Sequence, residues 1–175
     1  MSNEQGVQTP SGAEAPRARL EPSQVGWILV GVQGVLLLAL VLLPWRRPLS
    51  WPLDVLDILG LVLMVAGLAL LLISFMSLGR ALTPTPIPVE GAGLRTRGIY
   101  GVVRHPIYVA VLVAALGFTL AVGSVWQVVV WCALLGFFLG KAFWEDRLLA
   151  ERHGVAWYDY ADHVGGFFPR VWGSR

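Results

Sequence analysis

The chain has 175 residues, which is the length of a single domain. It is 56% hydrophobic and only 14% charged, with a mean hydropathy of +0.67, and these values exclude an ordinary soluble globule. The pI near 9.0 would favour nucleic acid as the partner of a soluble protein, but the basic residues here stand beside apolar segments, so we expect membrane lipids and no nucleic acid.

The chain begins with a polar segment and then becomes strongly apolar. Residues 1–22 are rich in Ser, Gly, Pro, Ala and Glu, so we expect a disordered tail there and one transmembrane domain over residues 23–175. Residues 25–43 carry no charge and correspond to about 28 Å of helix, which is long enough to cross a bilayer. Gln33 is the strongly polar side chain of this span, and a hydrogen bond to another helix is favoured over a ligand contact.

A run of prolines and tryptophans over residues 44–52 ends this helix at the depth of the lipid headgroups. A second span follows over residues 58–78, and Asp54 and Asp57 precede it at the positive end of its dipole. Residues 81–98 alternate prolines and then carry glycines, which predicts an extended polyproline-like segment and a flexible turn. This segment is either a linker or part of a ligand-binding wall, and the sequence leaves both interpretations open.

Two further apolar runs, residues 107–122 and 125–143, are joined by a tight Gly-Ser connection, which predicts an antiparallel hairpin of transmembrane helices. The second helix of the hairpin continues without interruption through residues 141–152. After Gly154, side chains at helical spacing predict a short amphipathic helix that ends at residues 165–169. The predicted fold class is therefore all-α: a polytopic membrane protein with about four transmembrane helices, a hairpin of the third and fourth, and a short C-terminal interfacial helix.

Small residues in two of these spans indicate where helices could approach closely. Gly31 and Gly34 lie in the first span, and Gly136 and Gly140 form a small-xxx-small pair in the fourth. The first pair offers a place for another helix to approach closely, and the second pair allows one face of the fourth helix to pack closely.

The basic residues are distributed unequally between the two sides of a four-span topology. Only Arg46 and Arg47 fall in the loops of one side. We therefore expect the cytoplasmic membrane of a prokaryote, with both termini and the functional site on the cytoplasmic side. The other side carries the remaining basic residues: Arg17, Arg19, Arg80, Arg95, Arg97, Arg104, Lys141, Arg147, Arg152, Arg170 and Arg175.

Several polar and aromatic residues fall in this cytoplasmic layer, and each has a simple structural interpretation. Lys141 and Glu145 are four residues apart and share a helix face, which by itself is typical of a solvated helix end with ordinary ion pairs. Arg104 alone is typical of a topology-setting charge, His105 of an interfacial histidine, and tyrosines of an aromatic belt. No one of these residues defines a site.

Their combination is more specific. The sequence resembles the membrane methyltransferase superfamily, which includes the isoprenylcysteine carboxyl methyltransferases and the phospholipid N-methyltransferases. The resemblance spans roughly residues 78–169 and rests on these residues, in order: Gly98, Tyr100, Arg104-His105-Pro106-x-Tyr108, Glu145-Asp146-x-x-Leu149, Gly154, Tyr160, Val164 and Phe168-Pro169.

This resemblance implies a methyl donor, S-adenosyl-L-methionine, in a cavity on the cytoplasmic side, and a lipid-like or prenylated small acceptor that enters from the bilayer. It implies no metal. Lys141 falls where the carboxyl methyltransferases use an Arg near the substrate, and Lys141 or Arg104 is the expected cation for an acceptor carboxylate. The cofactor contacts carried over by position are Ala92, Gly93, Leu94, Arg95, Tyr100, His105, Pro106, Ile107, Tyr108 and Glu145.

The acceptor decides the type of enzyme. A carboxylate needs alignment and desolvation, whereas an ammonium headgroup must first lose a proton to a base. Because Lys141 suits an anion, an isoprenylcysteine-type carboxyl O-methyltransferase is favoured. A phospholipid N-methyltransferase, a small-thiol S-methyltransferase and a non-enzymatic membrane scaffold protein remain the alternatives. Ala110, Trp157 and Gly165-Gly166 depart from the family pattern, which bears on the acceptor more than on the cofactor.

Overall fold

The computed structural model describes residues 21–44, 54–78 and 93–170. These residues form five α-helices and one short 3-10 helix over Gly98–Gly101. The N-terminal tail over residues 1–20, residues 45–53 between the first two helices, the proline-rich segment over residues 79–92 and the last residues 171–175 lie outside the described residues. The helices are α1 (Pro22–Leu42), α2 (Val55–Leu78), α3 (Pro106–Val122), α4 (Val125–His153) and α5 (Val155–His163).

All the predicted helices are present, so the all-helical membrane fold is confirmed. α1 begins at Pro22 rather than at residue 25, and α2 at Val55 rather than at residue 58. α4 runs as one helix of 29 residues, as the uninterrupted sequence up to Gly154 predicted. The 3-10 helix before α3 was not predicted.

Three of the helices are long and apolar enough to cross a membrane, and together with the shorter α3 they make an integral membrane bundle. α1, α2 and α4 have 21, 24 and 29 residues, whereas the 17 residues of α3 span about 25 Å. Large apolar side chains of α1 point away from the bundle; Trp27 is 62% exposed and Val35 is 67% exposed. Such a surface is stable in lipid rather than in water.

The start of α2 is fixed by the two acidic residues that precede or open it. Asp54 Oδ1 accepts hydrogen bonds from the backbone N–H groups of Leu56 (2.9 Å) and Asp57 (3.1 Å). Asp57 Oδ2 in turn accepts from the backbone N–H of Asp54 at 2.9 Å. These reciprocal bonds satisfy N–H groups that have no partner inside the helix, and they place negative charge at its N-terminus as the sequence predicted.

The helices pack in pairs around the α3–α4 hairpin. α2 packs mainly against α3, and α1 packs mainly against α4. The first two helices of the chain therefore lie against different members of the hairpin. The buried core that joins α1, α3 and α4 consists of Leu40, Tyr108, Leu112, Ala115, Val130, Leu134, Phe138 and Ala142.

The close helix approach occurs at glycines other than the predicted ones. A Cβ atom added at Gly60 would lie 2.6 Å from the carbonyl oxygen of Gly117, so the backbones of α2 and α3 are nearly in contact there. The same holds at Gly67, where the added atom would lie 2.8 Å from the carbonyl oxygen of Ala110. The prediction for the first and fourth spans was wrong, because a Cβ at any of four glycines would meet nothing within 4 Å: Gly31, Gly34, Gly136 and Gly140.

We expect Gly67→Leu to destabilise the bundle, because the side chain would force α2 and α3 apart. Overpacking of this kind costs about 1–3 kcal/mol, which for a chain of this size lowers the melting temperature by about 2–12 °C. Thermal unfolding in detergent measures the change. Gly136→Leu is the matched control, since that side chain would enter open space on α4. An equal loss of stability in both variants would contradict the packing described here.

Candidate functional site

The stretch between the 3-10 helix and α3 is held against the stretch that follows α5. Val103 and Gly165 form an isolated parallel bridge. The backbone N–H of Arg104 donates to the carbonyl of Gly165 at 2.8 Å, and that of His105 donates to Gly166 at 3.1 Å. The two glycines that depart from the family pattern thus contribute backbone carbonyls, and these fix the position from which Arg104 and His105 reach α4.

Two adjacent carboxylates on α4 receive these side chains. The Oδ2 atom of Asp146 accepts a hydrogen bond from Arg104 Nη2. The Oδ1 atom of Asp146 lies 3.0 Å from His105 Nε2. The hydroxyl of Tyr108 donates to Glu145 Oε2 at 2.7 Å, and His105 Nδ1 lies 3.6 Å from the same oxygen. The structure therefore brings together residues that are about forty positions apart in the chain, and the tight cluster is formed by His105, Tyr108, Glu145 and Asp146.

His105 is a buried cation in this cluster. Only 5% of the residue is exposed, and its ring stacks on that of Tyr108 with the centroids 5.3 Å apart. Burial lowers the pKa of His105, but the hydrogen bonds and charges of Asp146 and Glu145 outweigh burial and raise the pKa to about 9. At neutral pH His105 is therefore a cation whose Nε2–H donates to Asp146 and whose Nδ1 lies at ion-pair distance from Glu145.

Arg104 ties the same cluster to α5. Its Nη1 donates to the carbonyls of Ala161 and Val164, each at 3.1 Å, while its Cζ lies 5.5 Å from the centre of the Trp157 ring. A guanidinium at the C-terminal end of a helix satisfies free carbonyls and meets the negative end of the dipole. Trp157, another departure from the family pattern, therefore packs under Arg104.

Arg170 also binds the end of α5. Its Nη1 donates to the carbonyls of Ala161 at 3.1 Å and Asp162 at 2.6 Å. The Arg170 guanidinium therefore satisfies free carbonyls at the C-terminal end of α5.

Lys141 is buried, and the interpretation of its charge as part of a solvated helix end was wrong. The residue is 4% exposed, and its Nζ donates to Oε1 of Gln33 at 2.7 Å. The prediction that Gln33 hydrogen-bonds another helix is confirmed by this contact. Aromatic rings of Tyr108 and Phe137 lie 5.2 and 5.9 Å from the Lys141 Nζ.

Tyr100, at the 3-10 helix, is 8% exposed and lies next to the cluster. Its carbonyl accepts a hydrogen bond of 2.5 Å from the hydroxyl of Tyr160 on α5. Burial first, and then the charge of Glu145 and the nearby Tyr160, raise the pKa of Tyr100 to about 12. Tyr100 is thus a neutral phenol beside the carboxylates at physiological pH.

The other predicted cofactor contacts are placed differently. Pro106 is the buried first residue of α3, and Ile107 is half-buried behind it. Gly93 and Arg95 are exposed and Leu94 is half-buried, and within the described residues no hydrogen bond joins these three to the cluster. Ala92 lies outside the described residues.

Two of the residues that build this region were not predicted as site residues. Asp146 belonged to the motif that carries the resemblance but was given no role in the site, yet it holds both Arg104 and His105. Gln33 was assigned to helix packing alone, although its partner is the predicted substrate cation. Two features of the sequence could have indicated these residues. Asp146 is a carboxylate directly next to Glu145, and Gln33 is a lone amide in an apolar span.

A polytopic helical membrane protein with an Arg-His/Glu-Asp cluster at one end of its hairpin matches a known family. The phospholipid methyltransferase family model matches residues 55–156, which run from the first residue of α2 into α5. The chain therefore belongs to the phospholipid methyltransferase family, and the predicted resemblance is confirmed. The match begins at residue 55, earlier than the predicted residue 78, so α2 is part of the family pattern.

Two curated relatives are similar to part of the chain. An uncharacterized protein of Schizosaccharomyces pombe is 32% identical over 91 residues, which cover 49% of this chain and 26% of that protein. Protein-S-isoprenylcysteine O-methyltransferase A of Arabidopsis thaliana is 28% identical over 120 residues, which cover 64% of this chain and 58% of that protein. The chain thus spans about a quarter of the length of the first relative and somewhat more than half of the length of the second.

Proposed function

We propose that this chain is an S-adenosylmethionine-dependent membrane methyltransferase that forms a methyl ester on the carboxylate of a lipid-like, prenylcysteine-type acceptor. Family membership and the relative named as a protein-S-isoprenylcysteine O-methyltransferase support a methyltransferase of lipid-like acceptors. We place the site on the cytoplasmic side, within one domain over residues 23–175, because the basic residues accumulate at that end of the bundle.

The residues of the cluster fit S-adenosylmethionine. When bound, this cofactor supplies an electrophilic methyl group on a sulfonium, next to an ammonium and a carboxylate. Glu145 is 25% exposed in its side chain, and its Oε1 has no hydrogen-bond partner among the described residues, so it can accept from the ammonium. The stacked rings of His105 and Tyr108 and the phenol of Tyr100 supply aromatic surface beside it.

The backbone before the 3-10 helix can bind the carboxylate of the cofactor. Gly93, Leu94 and Arg95 have no hydrogen bond to the cluster among the described residues, so their N–H groups and the Arg95 guanidinium are free of it. We assign these groups and Ala92 to the carboxylate of the cofactor. We assign no direct acceptor contact to Arg104, because its guanidinium serves Asp146 and the end of α5.

The observation that carries the choice of a carboxylate acceptor is the environment of Lys141. Its ammonium is buried and donates to the neutral amide of Gln33, and none of the ion pairs within the described residues involves it. Its charge is therefore available to an anion that enters between the helices. In addition, His105 is already protonated at neutral pH and does not act as the base that an ammonium headgroup requires.

Transfer of a labelled methyl group by the purified protein in detergent tests this function. The acceptors are a farnesylated cysteine analogue, phosphatidylethanolamine and a small thiol, each with labelled S-adenosylmethionine. We expect label on the farnesylated cysteine, released as methanol by base because the product is an ester. A base-stable product on the phospholipid or the thiol instead would establish one of the alternative acceptors. No transfer together with no binding of S-adenosylhomocysteine would establish a non-enzymatic membrane protein.

A further inference from the structure

Lys141 lies deeper in the helix bundle than a lysine near the end of a span normally does. Its Nζ contacts Gln33, which stands midway along α1 (Pro22–Leu42), about 15 Å from either end of that helix. Long basic side chains near the ends of spans usually extend towards water. The side chain of Lys141 is instead directed along α4 into the bundle, as the tilt of helical side chains towards the N-terminus permits.

The polar groups that act on this ammonium are the Gln33 amide, which it contacts directly, and the Glu145 carboxylate one helical turn along α4. Rings of Tyr108, Phe137 and Phe138 lie 5.2–6.0 Å from its Nζ. A charge inside a membrane bundle is costly, and it persists where it serves a ligand or a transported ion. Gln33 accepts one N–H of the ammonium and is itself neutral, so two N–H donors remain for another group.

We infer that Gln33 is a positioning residue that holds the Lys141 ammonium for the carboxylate of the acceptor, so that α1 completes the acceptor site. This inference rests on the proposed carboxyl methylation. α1 lies before the segment that the family model matches, residues 55–156, so Gln33 is a contribution from outside the family pattern. The site for the acceptor anion is accordingly formed at the interface of α1 and α4.

The neutrality of the amide is important for this role. A glutamate in its place would form an ion pair with Lys141 and compete with the acceptor carboxylate. A leucine would leave the ammonium without its polar partner and free to adopt other rotamers, which reduces affinity for the acceptor. Neither change touches the residues assigned to the cofactor.

A second polar contact between α1 and α4 offers a matched control. Gln127 lies near the start of α4, about 21 Å along the helix from Lys141, and its Nε2 donates to the carbonyls of Leu40 (3.4 Å) and Leu43 (3.1 Å). It fastens the other end of α1 and is remote from the site. If Gln33 only fastened α1 to α4, its loss and the loss of Gln127 would have the same consequences.

The experiment compares Gln33→Leu, Gln33→Glu and Gln127→Leu with the wild-type protein in detergent. KM and kcat for the farnesylated cysteine analogue are measured, together with the Kd for S-adenosylhomocysteine, which also reports correct folding. We expect both Gln33 variants to raise KM about tenfold, with kcat within about twofold and an unchanged Kd. Gln127→Leu lowers thermal stability and leaves KM within about twofold.

Two results overturn the inference, and they are distinguishable. Equal KM values in wild type, Gln33→Leu and Gln127→Leu would leave the proposed methylation standing and reduce Gln33 to a helix-packing residue. No ester formation by the wild-type protein would refute the proposed function and, with it, the role of Gln33. If the Gln33→Leu protein no longer binds S-adenosylhomocysteine, the comparison is made with Gln33→Glu, which keeps the size of the side chain.

Discussion

We expect Glu145→Gln to weaken the binding of S-adenosylhomocysteine by about 100-fold and Glu145→Ala to abolish it. The amide keeps the shape of the side chain and can still accept from the Tyr108 hydroxyl, but it loses the charge that we assign to the ammonium of the cofactor. Charge-assisted hydrogen bonds contribute about 1.5–3 kcal/mol, and 2.8 kcal/mol corresponds to about a factor of 100. Isothermal titration in detergent measures the affinity directly.

Glu151→Gln is the matched control for this experiment. Glu151 lies on the same helix and forms an exposed ion pair with Arg147 at 3.1 Å, well outside the cluster. Exposed pairs of this kind contribute little, so this variant keeps its affinity within about twofold. Unchanged affinity in the Glu145 variants would refute the assignment of the cofactor to this cluster, whatever the acceptor is.

Asp146→Asn is the second change with a large expected effect, and it acts on stability. Asp146 is the acidic partner of both Arg104 and His105, and about four fifths of its side chain is buried. Removing one member of a buried ion pair leaves the others uncompensated and costs about 3–5 kcal/mol. Because the carboxylate is still partly exposed, we expect about 3 kcal/mol, which lowers the melting temperature by about 6–12 °C.

The loss of stability in Asp146→Asn depends on pH, because the charge of His105 determines how much the Asp146 carboxylate contributes. The pKa of His105 is raised from 6.5 to about 9 by the carboxylates, so its charged interactions stabilise the fold fully below pH 6.5 and disappear as the pH rises through 9. The difference between wild type and Asp146→Asn is therefore largest near pH 6 and smaller above pH 9, where the pair with Arg104 remains. Thermal unfolding at pH 6, 8 and 10 measures it, and a difference that grows with pH would contradict the assignment.

The sequence was sufficient for the membrane helices because apolar run length determines them almost alone. The starts of α2 and α4 and the Gly154 end of α4 follow from local residues, and the structure has them within three positions. The α2–α3 contact could not be predicted in the same way, since a glycine in an apolar span is compatible with a lipid-facing surface as well as with a neighbouring helix. Gly60 and Gly67 therefore went unnoticed, whereas Gly136 and Gly140 looked like a packing motif and are open.

The site was predictable where its members share a short motif and not where they meet through the tertiary fold. His105, Tyr108 and Glu145 were expected together from the family pattern, and they meet in the structure: Tyr108 donates a hydrogen bond to Glu145, and His105 lies at ion-pair distance from the same carboxylate. The burial of Lys141 depends on Gln33, which stands 108 positions away on a helix with no recognisable motif. The spacing of residues along α4 predicts only which neighbours Lys141 has on its own helix. Its contact with α1 could be found only from the structure.

The pairing of helices also governs the order in which this bundle can be assembled. α1 and α2 leave the ribosome first, but α1 packs mainly against α4 and α2 mainly against α3. α2 can therefore pair with α3 as soon as that helix is inserted, whereas α1 must stay in lipid until α4 is synthesised. The bundle is complete only after α4 has entered the membrane. Until then, α1 depends on the lipid or on the insertion machinery for solvation.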